Sequence, residues 1–237
     1  MKKKVRQRKG GNAQWAALFV AAGQSKRLKS RVAKPFMTLK KGQTLLEAGL
    51  QAFKKVRGLA YTIVVTRKEY VGSAVGSLYR MKLSGIVTLG GEEREDSVLK
   101  GLQVVPPSVK YVLIHDAARP LVSPAVINRV LKEAVRSGAA IPVVPVKDTL
   151  KVVSGSRVVK TLDRATLRAV QTPQGFRVES LKKAFKKMGK KASGLTDDAA
   201  VAEAAGFKVA IVDGDGMNFK VTTQEDLRYA RERVRKK

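Results

Sequence analysis

A chain of 237 residues with 44% hydrophobic content can bury a sizeable core as one domain, but 48 Lys and Arg against 19 Asp and Glu leave a formal net charge of +29. The absence of cysteine excludes disulfides, thiolate metal sites and a cysteine nucleophile, and a single histidine, His115, leaves little scope for histidine-based chemistry. No apolar run approaches the roughly 20 residues of a membrane span, and the basic start MKKKVRQRKGGNAQ lacks the apolar core of a signal peptide, so the expectation is a cytoplasmic protein that does not enter membranes.

Residues 1–14 read as a disordered basic tail, because a charge block without apolar periodicity cannot offset its ordering entropy. Residues 15–237 read as a single domain in which short apolar runs alternate with amphipathic segments. Strands are predicted at Trp15–Val20, Tyr61–Thr66, Gly85–Leu89, Tyr111–Ile114, Ala140–Val146 and Lys208–Val212. Helices are predicted at Thr44–Val56, Lys68–Tyr79, Glu92–Val104, Pro124–Ser137, Val178–Lys187 and Asp197–Ala205. Thr44 with Glu47 three residues on has the form of a capping box. Apolar strands alternating with helices give an α/β fold with a mostly parallel sheet covered on both faces. The segment 147–172 breaks the alternation: two β-branched runs flank Ser154-Gly155-Ser156, the signal of a projecting β-arm. A strand-like piece, Phe219–Thr222, leads into a basic C-terminal helix.

In such a sheet, ligands bind beyond the carboxyl ends of the strands, so the loops there carry the candidate chemistry. After the first strand, Ala21-Ala22-Gly23 lets backbone N–H groups approach a phosphate, while Arg27 and Lys34 offer a planar fork and a point charge. The spacing is neither GxxxxGK[ST] nor GxGxxG, and the bland alternative is a tight turn with a solvated basic loop. Gly90-Gly91 after the third strand permits close approach to a flat ligand, whereas Glu93 and Glu95 suit simple helix capping. Asp116-Ala117-Ala118-Arg119 at the end of the fourth strand suits a ligand hydroxyl or a metal, or an Asp–Arg pair in a turn, and His115 suits packing better than catalysis. Thr196 could cap a helix, and Lys220 is delivered from the segment Asn218–Thr222.

As a set, AAGxxxRL…K at 21–34, GGEEREDSV at 90–98, HDAARP at 115–120, DTLK at 148–151, TPQGF at 172–176, TDDAA at 196–200 and NFKVT at 218–222 resemble the 2-C-methyl-D-erythritol 4-phosphate cytidylyltransferase family over about residues 15–232. The resemblance implies a Rossmann-like nucleotidyltransferase fold and a homodimer clasped by the β-arm. It implies a reaction in which CTP and methylerythritol phosphate give CDP-methylerythritol and pyrophosphate with Mg²⁺, the metal carried mainly by the CTP phosphates. Carried over position by position, Arg27 and Lys34 match the residues that stabilise the transition state. Lys220 and Arg164 match those that position the attacking phosphate, with Arg164 and Thr149 serving the neighbouring subunit. Ala21, Ala22 and Gly23 match the triphosphate loop, and Gly91, Glu92 and Ser97 the cytosine pocket. Asp116, Ala117, Arg119 and Thr196 match contacts to the polyol and the ribose region. The chain departs from the family pattern at Ser25, at Lys34-Pro35-Phe36 and at Leu167-Arg168.

Two other readings remain. A ribitol 5-phosphate cytidylyltransferase of the same fold shares the CTP loops and differs in the polyol pocket. A basic nucleic-acid-binding protein is suggested by the charge, but aromatics are only 5% and the basic residues are spread along the chain. Weak, non-specific polyanion binding is an expectation that the charge supports under either enzyme reading.

Overall fold

The structure, a computed structural model, describes residues 14–23 and 32–235. The expected basic tail and Arg27 therefore lie outside the described residues, apart from Gln14.

The first strand, β1 (Trp15–Val20), buried except for a half-buried Val20, lies in the interior of the sheet. Parallel to it run β4 (Leu59–Thr66) on one side and β6 (Tyr111–Asp116) on the other, and β5 (Gly85–Leu89) continues parallel beyond β4. Beyond β6 the sheet turns mixed. The strand β11 (Gln174–Arg177) is antiparallel to both β6 and β7 (Ala139–Pro145), β10 (Arg168–Val170) also pairs antiparallel with β7, and β12 (Ala210–Asp213) is parallel to β7. The chain leaves β1 first toward β4 and later toward β6, which makes the carboxyl end of β1 the point where strand order reverses, the place where sheets of this kind bind ligands.

The alternation of side chains along β1 divides the core between two faces. Trp15, Ala17 and Phe19 pack with Leu46, Leu50 and Phe53 of α1 (Leu45–Lys54), Leu78 of α2 (Val71–Arg80) and Ile127 and Val130 of α4 (Pro124–Ser137). Ala16 and Leu18 pack with Val98 and Leu102 of α3 (Arg94–Gln103), Leu181 and Phe185 of α5 (Val178–Met188) and Val201 of α6 (Asp198–Ala204). The predicted capping box forms at α1: Thr44 Oγ1 accepts from the Glu47 N–H at 3.3 Å, and Glu47 Oε2 accepts from the Thr44 N–H at 2.8 Å. The C-terminal helix α7 (Gln224–Arg235) closes a third, smaller cluster of Leu39, Leu45, Val221 and Leu227.

Several features differ from the sequence reading. A short hairpin, β2 (Thr38–Lys40) with β3 (Gln43–Thr44), turns through Gly42 at a φ of 74°. The segment Phe219–Thr222 is not a strand: it is held by the Val221 N–H on the Ala118 carbonyl at 2.8 Å and by Asp226 Oδ2, which accepts from the Thr222 and Thr223 N–H groups. The arm is a two-stranded sheet of β8 (Lys151–Ser154) and β9 (Arg157–Thr161), turning at Gly155 with a φ of 55°. It is shorter than residues 147–172, because Arg168–Val170 return to pair with β7.

Candidate active site

The carboxyl end of β1 gathers loops through backbone hydrogen bonds. The N–H groups of Ala21 and Ala117 donate to the carbonyls of Val65 and Val20, and that of Gly90 donates to Thr66. The triphosphate-loop and base-loop candidates touch: a Cβ on Gly90 would lie 2.6 Å from the Ala22 methyl and 2.7 Å from Ser97 Oγ. Gly91 is equally constrained, with Asp96 Cβ 2.2 Å from where its Cβ would stand. Ser97 Oγ accepts from the Gly91 N–H at 3.0 Å and donates to the Glu93 carbonyl at 3.1 Å, so the loop folds over the first turn of α3. Glu93 caps α3 as expected, its N–H donating to Asp96 Oδ2, whereas Glu95 does not cap the helix and its Oε1 accepts from the distant Gly194 N–H. Glu92 stands exposed at the rim of this loop.

Asp116 is the last residue of β6 rather than the first of a loop, and it is buried. Lys220 Nζ lies 2.7 Å from its Oδ2, and Arg94 Nε lies 3.5 Å from its Oδ1. Burial alone would raise this carboxyl, but Lys220, Arg94 and Arg119 together hold it well below the usual carboxylate range. Arg94 also forms a two-pronged pair with Asp198 at the start of α6, at 3.0 and 2.8 Å. Despite its own burial, the Arg94 guanidinium is held more firmly protonated than usual by Asp198 and Asp116. Arg119 donates to the Asn218 carbonyl at 2.8 Å, which ties the 116–119 turn to the segment that delivers Lys220.

His115 organises this region without facing solvent. Its Nε2 lies 3.1 Å from the Arg119 carbonyl, which can only accept, so Nε2 carries the proton. Its Nδ1 then accepts from the Thr172 hydroxyl at 3.0 Å, and that oxygen accepts from the Asp116 N–H at 3.1 Å. Burial pushes the imidazole down to about 4, so it is neutral near pH 7. The packed role expected for His115 is the one it has.

The α6 end of the site rests on Gln174, whose Nε2 donates to Asp197 Oδ2 at 2.6 Å and whose Oε1 accepts from the Ala199 N–H. Asp197, not Thr196, caps α6, accepting from the Ala200 N–H at 2.9 Å, and Thr196 is left exposed at the rim. Lys34 begins a short 3-10 turn, Lys34–Phe36, with Pro35 buried. The Ala33 N–H donates to the Tyr70 hydroxyl at 2.9 Å, and the Phe36 ring stacks on Tyr70 with centroids 4.8 Å apart. The unusual Pro35-Phe36 pair is thereby accommodated as an anchor.

The structure thus brings Ala21, Ala22, Gly23, Gly91, Ser97, Asp116, Ala117, Arg119 and Lys220 to one edge of the sheet. Among the described residues no hydrogen bond or ion pair joins Thr149 or Arg164 to this group: both are exposed at the base of the hairpin, where Arg164 Nη1 donates to the Lys147 carbonyl at 2.8 Å. Arg94, Asp198 and Tyr70 were missed by sequence reasoning. A cation at the first position of a helix, where the macrodipole disfavours it, was the available signal for Arg94. Among the described residues no cluster of three or more His, Asp or Glu side chains could hold a metal ion, and Asp116 is already neutralised by cations.

Comparison with known proteins gives a consistent family. The profile described as "IspD: 2-C-methyl-D-erythritol 4-phosphate cytidylyltransferase" matches residues 15–236. The 2-C-methyl-D-erythritol 4-phosphate cytidylyltransferase of Endomicrobium trichonymphae is 39% identical, over 91% of this chain and 96% of that protein. The bifunctional enzyme IspD/IspF of Desulfotalea psychrophila is also 39% identical, over 94% of this chain, which spans 57% of that protein. The crystal structure of the 2-C-methyl-D-erythritol 4-phosphate cytidylyltransferase of Thermus thermophilus superposes with a TM-score of 0.77 at 35% identity, covering 94% of this chain and 99% of that one.

Proposed function

The chain belongs to the 2-C-methyl-D-erythritol 4-phosphate cytidylyltransferase family, and on that premise we propose how its residues carry out CTP-dependent cytidylyl transfer to methylerythritol phosphate in isoprenoid precursor biosynthesis. The observation that carries the reading is the buried Asp116 carboxylate held by Lys220 and Arg94 beside the small-residue loops at the end of β1. A carboxylate accepts hydrogen bonds from polyol hydroxyls, and Lys220 beside it suits the attached phosphate.

The attacking group is a phosphate oxygen of the substrate, already anionic near neutral pH, so the protein needs no nucleophile of its own. That oxygen attacks the α-phosphorus of CTP, the bond to the bridging oxygen breaks, and pyrophosphate departs with the electron pair. Catalysis is then positioning plus neutralisation of developing charge. Ala21, Ala22 and Gly23 receive the triphosphate, and Gly91, Glu92 and Ser97 enclose the cytosine. Lys34 and Arg27 stabilise charge on the α-phosphate and leaving group, and Lys220 and Arg164 hold the attacking phosphate. Asp116, Ala117, Arg119, Thr149 and Thr196 bind the polyol and ribose region. Magnesium bound to CTP would offset charge on the triphosphate, beside the loop Ala21-Ala22-Gly23 that receives it.

Homodimerisation through the hairpin is part of the proposal, with Arg164 and Thr149 acting on the neighbouring subunit's site; both are exposed on this chain, which supports that reading. A cytoplasmic setting is part of the proposal, and no helix among the described residues is long and apolar enough to cross a membrane. The net charge of +29 supports weak, salt-sensitive polyanion binding as a side property. The test is pyrophosphate release from MgCTP with methylerythritol phosphate and, separately, ribitol 5-phosphate. Faster turnover of methylerythritol phosphate is expected. Faster turnover of ribitol phosphate would overturn the choice of substrate, and turnover of neither would overturn the enzyme reading.

A further inference from the structure

The backbone of Arg94 belongs to the nucleotide side of the site and its side chain to the acceptor side. It is the first residue of α3, whose first turn carries the Gly91–Ser97 bond. Its guanidinium reaches across the sheet edge to Asp198 on α6 and to Asp116 on β6. The two carboxylates come from segments far apart in the chain, and both adjoin residues assigned to the acceptor: Asp116 itself, and Thr196 two positions before Asp198. The fork is committed to Asp198, while the Nε edge faces Asp116 at a longer 3.5 Å. Arg94 therefore fixes the separation between β6 and the start of α6. It leaves an Asp116 oxygen within reach of a further donor such as a hydroxyl.

A buried ion pair of this kind adds little to stability compared with an apolar pair of equal volume, since both charges must be desolvated. Its value lies in orientation: a planar, two-pronged contact fixes an angle that a point charge or a methyl group does not. The contacts that shape the nucleotide loop do not use this guanidinium. They run through Ser97 Oγ, the Gly90–Ala22 approach and Lys100 Nζ on the Gly90 carbonyl.

We infer that Arg94 is a positioning residue for the acceptor: it aims Asp116 and the Thr196 turn at the polyol phosphate, while the CTP loop stands without its side chain. The inference rests on the assignment of Asp116 to the acceptor.

The experiment is steady-state kinetics with MgCTP and methylerythritol phosphate on Arg94→Met, Arg94→Lys, Asp198→Asn and Asp116→Asn, with thermal melts alongside. Arg94→Met is expected to raise KM for methylerythritol phosphate about tenfold or more, leaving KM for CTP within about threefold. Arg94→Lys should recover only part of this, because an ammonium cannot bridge both carboxylates as a fork. Asp198→Asn, which keeps Arg94 beside Asp116 but weakens its anchor, should shift the same constant in the same direction by less. Equal rises in both KM values, or a lowered melting temperature with neither KM changed, would overturn the inference. Should Arg94→Met not fold, Asp198→Asn decides by the same criterion. If Asp116→Asn leaves the acceptor KM unchanged, the site assignment itself has failed. If Asp116→Asn raises it and the Arg94 variants do not, only the inference has failed.

Discussion

The Asp116 cluster and the β8–β9 hairpin carry residues assigned to one reaction, yet they are built in opposite ways. Around Asp116, Lys220, Arg94, Arg119, His115 and Thr172 interlock through side-chain contacts within a single chain. In the hairpin every residue of both strands is exposed, and Val153, Val158 and Val159 show 63%, 61% and 64% of their surface. A two-stranded ribbon is marginal in water by itself, and fully burying each valine against another surface is worth about 1.5 kcal/mol. The first region is preorganised by its own fold. The second has the composition of a surface that gains order from contact, and it is flanked by the exposed Arg164 and Thr149.

The comparison is broken most severely by removing the anion at the centre of the finished half. Asp116→Ala leaves Lys220 without its counter-charge and Arg94 paired with Asp198 alone. We expect kcat/KM to fall at least about 10²-fold, as for loss of a preorganised polar contact, with destabilisation of about 2 kcal/mol, moderated because Lys220 can turn to water. Activity within about threefold of wild type would remove Asp116 from the site. The unfinished half is tested next. Val153→Asp with Val158→Asp should yield a monomer in sedimentation and lower activity about tenfold or more, with little change in the melting temperature of the main fold. A fully active monomer would show that the hairpin serves no second site. A subtler version mixes Arg164→Ala and Lys34→Ala proteins after subunit exchange. If sites are shared, half of the dimers carry one intact site, and about a quarter of wild-type activity returns. No recovery would place both residues in one subunit's site.

The same contrast governs what could be read from the sequence. The central strands were legible because continuously apolar runs such as Trp15–Val20 leave little alternative, and β5 and α4 matched their predicted bounds. The strand β6 was read two residues short, because His115 and Asp116 are polar and their buried satisfaction comes from Thr172, Lys220 and Arg94, all distant in sequence. Neither β10 nor β11 was anticipated, since the run TPQGF between and within them looks like turn chemistry and its pairing with β6 and β7 is long-range. The site motifs were legible through family resemblance. Arg94 and Tyr70 were not, because each acts through a partner that no local pattern predicts.

A smaller effect separates holding the site from doing its chemistry. Because His115 is depressed to about 4 by burial, it is neutral in the folded chain, whereas its unfolded form takes up a proton below its ordinary value of 6.5. The unfolded state then binds more protons, so His115 costs stability as pH falls from about 6.5 toward 4, by at most about 3 kcal/mol. Melting temperature should drop over this window in wild type, and the drop should be shallower in His115→Gln. Identical pH profiles for the two proteins would show that the buried imidazole is not the group responsible.

The smallest change tests whether the Lys34 turn is as well anchored as the Asp116 cluster. The Ala33 N–H is given an acceptor by the Tyr70 hydroxyl, and Ala33 itself is buried, so Tyr70→Phe strands that donor while keeping the ring that stacks on Phe36. An unmet buried donor costs about 1–3 kcal/mol, but here the strain can relax locally by loosening the 3-10 turn that carries Lys34. A lysine held less firmly loses some transition-state stabilisation without weakening acceptor binding, because the contacts described for Asp116, to Lys220, Arg94 and Thr172, do not involve Tyr70. We therefore expect kcat to fall about threefold to tenfold with KM for methylerythritol phosphate within about twofold. A rise in that KM matching the fall in kcat would mean that the Lys34 turn and the Asp116 cluster form one unit rather than two.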